Sequence, residues 1–436
     1  MNDPAAKKFA VVHCGQLVTL AGPPRPRRGL AEMRELSIIE DGALLIADGK
    51  IERVGTTEGL RTVLAQEKKL PVFDAQGCVV TPGFVDAHTH MVFAGSRAAE
   101  FEQRIEGKTY QQIAAAGGGI ATTVRATRSA TAEDLLQQAG RHAEWFLRSG
   151  TTTVEVKSGY GLSLDAELKI LGAIRSLAER APLRLVPTLL AAHTLPPEFQ
   201  QDRAGYVSLV VREILPRVHR DSLARFCDVF CDEHAFTLAE SREILSAAKN
   251  IGLGLRMHVE QFAADGGAAL AAELGAATAD HLEFTDSDGI AALAQASVQP
   301  VLVPASVFCL GRDRYPNARA MLDAGLAVVL ATDFNPGSSP TTSMPFVMSL
   351  ACQRMKMLPA EALVASTINA AYSLGLGNMV GSLEAGKEAD FLIHEFHDYR
   401  ELAYFAAVPN LPQVFIAGKQ VQTCSQPTVI LANGAR

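Results

Sequence analysis

The spacing of apolar positions changes along this chain, and the changes mark out its parts. In the first 80 residues the apolar positions form short β-prone runs. Ala43-Leu44-Leu45-Ile46-Ala47 passes through Asp48-Gly49 into Lys50-Ile51-Glu52-Arg53-Val54, and an Asp-Gly step between two such runs predicts a tight hairpin. The far end repeats this character in Ala389-Asp390-Phe391-Leu392-Ile393 and in the run Val414 to Val421, which carries a Gly418-Lys419 turn. Between these ends, β-like runs alternate with stretches of helical spacing such as Ala132 to Arg148, Asp165 to Arg180 and Leu238 to Asn250. Eight β-like runs end near His90, Lys157, His193, Glu233, His258, His281, Pro304 and Asp333. The alternation predicts an α/β fold, and eight such units predict a (β/α)8 TIM-like barrel whose working groups sit at the C-terminal strand ends. The two terminal regions are each too small for a core, so they are expected to pack together as one small discontinuous β-sandwich domain. The expected boundaries are 1–80 and 380–436 for the β-sandwich domain and 81–379 for the barrel.

Composition narrows the classes of function. The chain has 436 residues, of which 48% are hydrophobic, enough for a large core. Its formal net charge is −7 and it has no basic stripe, which argues against a nucleic-acid partner. Apolar runs are broken well before the roughly 18 residues that a membrane span needs, so no membrane partner is expected. Residues Met1 to Gln16 lack the apolar core of a signal peptide. The seven cysteines are scattered, and Cys227 and Cys231, which share one β-like run, read as buried thiols and not as a zinc site or a disulfide. These features suit a cytoplasmic protein. The Pro/Arg stretch Gly22 to Gly29 reads as a solvated surface loop.

The chemistry concentrates at the strand ends. His88-Thr89-His90 closes the apolar run Cys78 to Ala87, and alternation along a strand sends both imidazoles to one side. Such a pair can share a divalent metal, zinc or iron. His258 ends the fifth run and Asp333 the eighth, and a closed barrel brings these ends together. Three histidines and a carboxylate leave a position for water, whose pKa a metal lowers from 15.7 to about 7. Asp333 would orient that water and accept its proton. Each residue alone could be an ordinary hydrogen-bonded strand-end residue; the four together point to a metal centre. His281 could polarise a carbonyl, relay a proton or serve as a further ligand. His193 could touch substrate or serve the structure. The fourth run has no lysine at its end and Lys157 ends the second, so one metal is expected and not a lysine-bridged pair. In Asp333-Phe334-Asn335-Pro336-Gly337-Ser338-Ser339-Pro340, Asn335 and Ser338 offer hydrogen bonds and Gly337 allows close approach, although a simple turn reads equally well. Arg97 suits bidentate carboxylate binding. Gly117-Gly118-Gly119 follows the helix-like Tyr110 to Ala116 and lacks a Walker lysine, so it reads as a loop or helix stop.

These residues resemble the amidohydrolase superfamily in Pro82-Gly83-Phe84-Val85-Asp86-Ala87-His88-Thr89-His90 with His258, His281 and Asp333. Within it, the chain resembles the imidazolonepropionase family of histidine degradation. That narrower likeness is carried by Val92 to Arg97, Phe101 to Arg104, Gly107 to Tyr110, Ala114 to Ile120, Glu155 to Leu162 and Thr332 to Pro340, and it covers nearly the whole chain. The resemblance implies hydrolysis of the cyclic amide 4-imidazolone-5-propanoate to N-formimidoyl-L-glutamate. It implies one zinc or iron ion on His88, His90, His258 and Asp333, substrate contacts from Arg97, Tyr160, His193, Asn335, Gly337 and Ser338, and a homodimer. Gln261 falls where the family has Glu or Gln; as an amide it orients water or substrate but is no general base, which moves proton transfer to Asp333 and His281. Phe334 stands where a smaller residue such as Cys is expected. A deaminase or a formimino-glutamate-processing enzyme on the same metal core is the nearest rival reading. A non-catalytic scaffold is the rival from another class, although it would be expected to lose ligands that this chain keeps.

Overall fold

The computed structural model describes residues 8–66, 70–108, 112–113, 117–232, 235–408 and 411–421. The N-terminal alternation becomes the start of a mixed sheet. β1 (Lys8–Val18) pairs antiparallel with β2 (Ile38–Ala47), which turns back onto β3 (Lys50–Thr56). The turn residues Asp48 and Gly49 both have positive φ, 48° and 80°, as a two-residue hairpin requires. The other edge of β1 receives β4 (Val72–Asp74) and β5 (Val79–Pro82), both parallel. Alternation along β1 sends Phe9 and Val11 into one apolar cluster with Leu44 and Ile46. It sends Ala10 and Val12 into another, where Leu45 meets Leu60 of the helix Thr57–Gln66.

One residue beyond β5 the barrel begins. Its strands are β6 (Phe84–Asp86), β7 (Thr151–Lys157), β8 (Arg184–Ala192), β9 (Phe226–Cys231), β10 (Gly254–Val259), β11 (Thr278–His281), β12 (Gln299–Leu302) and β13 (Val329–Leu330). They pair in parallel and in chain order. The ring closes beyond the ends of the first and last strands, where Thr89 and Phe334 form a parallel bridge. There the Asp333 N–H donates to the His88 carbonyl at 3.0 Å and the His90 N–H to the Phe334 carbonyl at 2.9 Å. Asp86 adds to the closure by accepting from Thr332 Oγ1 at 2.6 Å and from its backbone N–H at 3.1 Å.

The three expected helices are present as Ala132–Arg148, Leu164–Arg180 and Leu238–Asn250. The first and third begin at capping boxes, Thr131 with Asp134 and Thr237 with Glu240, which satisfy the otherwise orphaned first-turn N–H groups. The chain then returns to the first sheet. β14 (Phe391–Ile393) pairs antiparallel with β5, and β15 (Gln413–Ile416) and β16 (Lys419–Val421) extend it, so strands from both chain ends share one sheet.

Four details differ from the sequence reading. β6 ends at Asp86, so His88 and His90 stand just past the strand, on the segment that closes the ring. β9 ends at Cys231; Glu233, expected to end the fourth run, lies outside the described residues. The last hairpin turns on Ala417-Gly418, both at positive φ, because Lys419 already pairs with Ile416. The Gly22–Gly29 loop is not wholly solvated. The Arg27 guanidinium is buried and ties the loop together by donating to the carbonyls of Pro23, Arg25 and Leu20.

The sheet and the barrel are joined by Arg184 at the start of β8. It donates to Asp390 at 2.7 Å and pairs with Glu388, while Asp390 also accepts from the Ala417 N–H at 2.7 Å. Asp390→Ala removes the buried acceptor shared by these part-buried donors and is expected to cost about 1–3 kcal/mol. Its thermal midpoint should fall while bound metal stays at the wild-type level; an unchanged midpoint would show that this junction contributes nothing.

Candidate metal centre

Four side chains converge where the barrel closes. His88 Nε2 lies 3.5 Å and His90 Nε2 3.4 Å from Asp333 Oδ1, and His258 Nε2 lies 3.4 Å from His90 Nε2. All four residues are buried. A ring nitrogen of His281 joins those of His88 and His258 in a second compact trio. Neutral imidazoles are needed to bind a metal, and burial favours that form at His88 and His258. Burial, with Lys157 nearby, lowers His88 well below its ordinary range, and burial takes His258 down to about 3 against the pull of Asp228. His88 Nε2 is buried without a hydrogen-bond partner among the described residues. A donor left open in this way, among two other imidazoles and a carboxylate, fits a metal ion.

The other ring nitrogens show why the Nε2 atoms face inward. His88 Nδ1 lies 2.6 Å from Asp280 Oδ2, and His258 Nδ1 lies 3.1 Å from Asp228 Oδ1. Each carboxylate holds the proton on Nδ1 and leaves the Nε2 lone pair free. Beneath them sits a fully buried charge network. Lys157 Nζ reaches Asp228 at 2.6 Å, Glu155 at 2.9 Å and Asp280 at 3.7 Å. Arg256 lies 3.7 Å from both Glu155 and Asp280 and donates to the Ala87 carbonyl at 2.7 Å. Burial alone would raise Asp228, but His258 and Lys157 outweigh it and hold the carboxylate well below its usual range. Asp280 is pushed up by burial against the pull of Arg256 and Lys157; a cation at the Nε2 atoms would add to that pull. The network also settles the position of Lys157, which is spent on these carboxylates.

The rim of the site is braced too. Glu100 accepts from Arg97 Nε at 2.9 Å and from its Nη2, and also from the Gly119 N–H at 2.9 Å. One edge of the guanidinium is therefore taken, and a ligand carboxylate can reach only the end-on Nη1/Nη2 edge. Gly337 closes the other side, because a Cβ there would collide with Arg97 Nη1. Tyr160 is held by the loop over β7, where Glu167 accepts from the N–H groups of Gly159, Gly161 and Leu162 at 2.7–3.1 Å. His193, just past β8, stacks on His90 with ring centroids 5.0 Å apart, and its Nδ1 lies 3.0 Å from the Gly159 carbonyl. The Asn335 amide is engaged within its own turn: Oδ1 accepts from the Gly337 and Ser338 N–H groups, and Nδ2 donates to the Asp333 carbonyl and to Ser338 Oγ. Gln261 is buried at the end of β10, with its backbone N–H on Asp232. His281 lies 3.5 Å from Glu283; burial opposes its protonation, but Glu283, then Asp333 and Asp280, outweigh this and raise it to about 9. Phe334 fills a pocket formed by Phe93, His142, Trp145 and Phe146 behind the metal loop, so its bulk is accommodated outside the site.

A parallel barrel with this cluster at its mouth defines a class, and a model of the amidohydrolase family matches residues 79–421: the chain belongs to that family. Its relatives narrow the class. The imidazolonepropionase of Solibacter usitatus (strain Ellin6076) is 59% identical over 412 residues, covering 94% of this chain and 98% of that protein. The imidazolonepropionase of Chloroflexus aggregans (strain MD-66 / DSM 9485) is 47% identical over 418 residues, covering 94% and 97%. Among solved structures, E. coli guanine deaminase superimposes with a TM-score of 0.71 over 96% of this chain and 99% of its own, at 18% identity. A 5-methylcytosine deaminase from Klebsiella pneumoniae liganded with 5-fluorocytosine gives 0.72 over 97% and 99%, at 17% identity. At such identities the two deaminases share the fold alone.

Asp280→Asn keeps the shape of the side chain but weakens its hold on the His88 Nδ1 proton. Metal affinity is expected to fall about 10–100-fold, with the circular dichroism spectrum retained. Titration calorimetry that returned wild-type affinity would remove Asp280 from the metal-positioning role.

Proposed function

We propose that the protein hydrolyses the cyclic amide of 4-imidazolone-5-propanoate to N-formimidoyl-L-glutamate, with one divalent ion, zinc or iron, as its cofactor. The observation that carries this reading is the braced Arg97 beside a histidine–aspartate cluster. It offers a carboxylate reader at a metal-assisted hydrolytic centre. The extent of identity with the imidazolonepropionases supports the same substrate. A single ion is favoured because Lys157 is already held by Glu155 and Asp228 and is not free to bridge a pair.

In this reading His88, His90, His258 and Asp333 hold the ion, whose chemistry is Lewis-acid polarisation of a carbonyl and acidification of water. The end-on edge of Arg97 and the Tyr160 hydroxyl take the propanoate carboxylate, which sets the ring in place for attack. His193 forms a wall beside His90, and the turn Asn335-Gly337-Ser338 keeps Arg97 flush against the site. Burial raises Asp333, but contact with His90 and the fields of His281 and the other histidines outweigh this and hold its carboxylate low, so it is ready as a base. Asp333 accepts the proton as water adds to the ring carbonyl carbon. It returns that proton to the ring nitrogen as the C–N bond breaks. His281, with Nδ1 turned to Glu283, uses its other nitrogen to donate to the carbonyl oxygen and offset its developing charge. Gln261 orients the ring or the water.

Freshly prepared imidazolone propanoate should lose its ultraviolet absorbance with metal-loaded protein and not with chelator-stripped protein, with formimidoyl-glutamate as the product. No turnover by folded, metal-loaded protein would refute the substrate assignment. Arg97→Ala should lower kcat/KM about a hundredfold with metal content unchanged; loss of metal at an unchanged KM would refute its role. Gly337→Ala, which displaces the guanidinium without removing it, should lower kcat/KM about tenfold. A wild-type value would mean that Arg97 is not held against this turn.

A further inference from the structure

Outside the metal centre the barrel mouth holds a cavity of about 330 Å³. Its lining includes Gln261, Phe262, Glu283, Phe284, Arg312 and Arg314. The construction repeats: Phe262 follows Gln261 after β10, Phe284 follows Glu283 after β11, and each ring carries an arginine from the loop beyond β12. The Arg312 guanidinium lies 4.4 Å from the Phe262 centroid and that of Arg314 4.1 Å from Phe284. Stacking on a ring holds a guanidinium in one plane and leaves its N–H edge available. Arg314 uses part of that edge, since Nε donates to the Glu283 carbonyl at 2.9 Å. The Arg312 guanidinium makes no hydrogen bond or ion pair with the described residues.

Acidic groups share this wall, but they do not neutralise Arg312. Glu283 lies against His281, and Asp313, which also lines the cavity, forms no ion pair among the described residues. In a chain of net charge −7, an arginine fixed by a ring and left without an anion beside the reaction centre is a ready carboxylate receptor. Chemistry supplies the need. Arg97 reads the carboxylate that the substrate brings, and ring opening creates a second one; Arg256 beneath the cluster is already engaged by the Ala87 carbonyl and lies against Glu155 and Asp280.

We propose that Arg312 makes this cavity a carboxylate-binding subsite, used by the substrate on its way in or by the product on its way out. The proposal rests on the reaction assigned above. Arg312→Gln and Asp313→Asn, each metal-loaded, test it in two arms. The first arm is kcat/KM for imidazolone propanoate across a range of salt; the second is inhibition by N-formimidoyl-L-glutamate. Arg312→Gln should either lower kcat/KM and flatten its salt dependence, which identifies substrate capture, or raise the product inhibition constant, which identifies product release. Either effect should be about fivefold. Asp313→Asn should move the same quantity in the opposite direction, because it removes a repulsive neighbour. No change in either arm for Arg312→Gln overturns the proposal, and so does a loss of the same sign in both variants, which marks collapse of the loop. Calorimetry with glutarate reads the subsite without turnover. Arg312-dependent glutarate binding by a protein that fails to hydrolyse imidazolone propanoate would reject the assigned reaction and keep the subsite.

Discussion

The contact of Lys157 with Asp228 and Asp280 is the constraint on which the rest of the site depends. One ammonium on β7 holds two carboxylates, on the alternate strands β9 and β11, and each carboxylate orients one imidazole, His258 or His88. Arg256 and Glu155 complete the set, and all five charged side chains are fully buried. Stability alone does not account for such an arrangement, because apolar residues of equal volume often serve a core as well or better. Its effect is geometric. Two Nδ1 protons are fixed from below, so two Nε2 lone pairs are presented above, at the level where the ring closes.

The closure places the remaining groups. The hydrogen bonds that join the first and last strands are made by His88, His90, Asp333 and Phe334 themselves, so two histidines and the carboxylate are set by the same backbone contacts that complete the barrel. Asp333 stands at φ 53° and His281 at φ 81°. Non-glycine residues in this region cost of order 1–3 kcal/mol each and persist only where the surroundings over-determine them. Here the over-determination is visible: Asn335 ties the turn after Asp333, Asp86 ties Thr332 before it, and the aromatic pocket around Phe334 anchors the loop from behind.

Much of this was legible in the sequence, for a physical reason. A barrel gathers strand ends, so counting β-like runs is enough to bring His88, His90, His258 and Asp333 together without knowing any distance. The charge network was missed although it left a signal. Glu155 and Lys157 on β7, Asp228 on β9, Arg256 on β10 and Asp280 on β11 are charged residues within fully buried stretches of strand, and on β10 Arg256 stands two residues from His258, on the same face. An ionisable residue in a buried strand needs a partner, and reading these five against one another would have found it. Glu100 and Glu167 left no such trace. They look like surface glutamates of amphipathic helices, and their roles come from where those helices meet the loops carrying Gly119 and Tyr160. The sequence offered Arg97 as a candidate carboxylate reader and gave no sign that Glu100 takes one edge of its fork.

In the proposed centre His88 and His258, whose Nε2 atoms are aimed by the buried network, hold a single ion together with His90 and Asp333. The most direct measurement is a crystal structure of the metal-loaded protein with the ion located by anomalous scattering. One ion per chain is expected, with His88, His90, His258 and Asp333 at about 2.0–2.2 Å and with Lys157 still on Asp228. Two ions, or one ion bound without His258 while Lys157 has turned towards it, would contradict this single-ion centre.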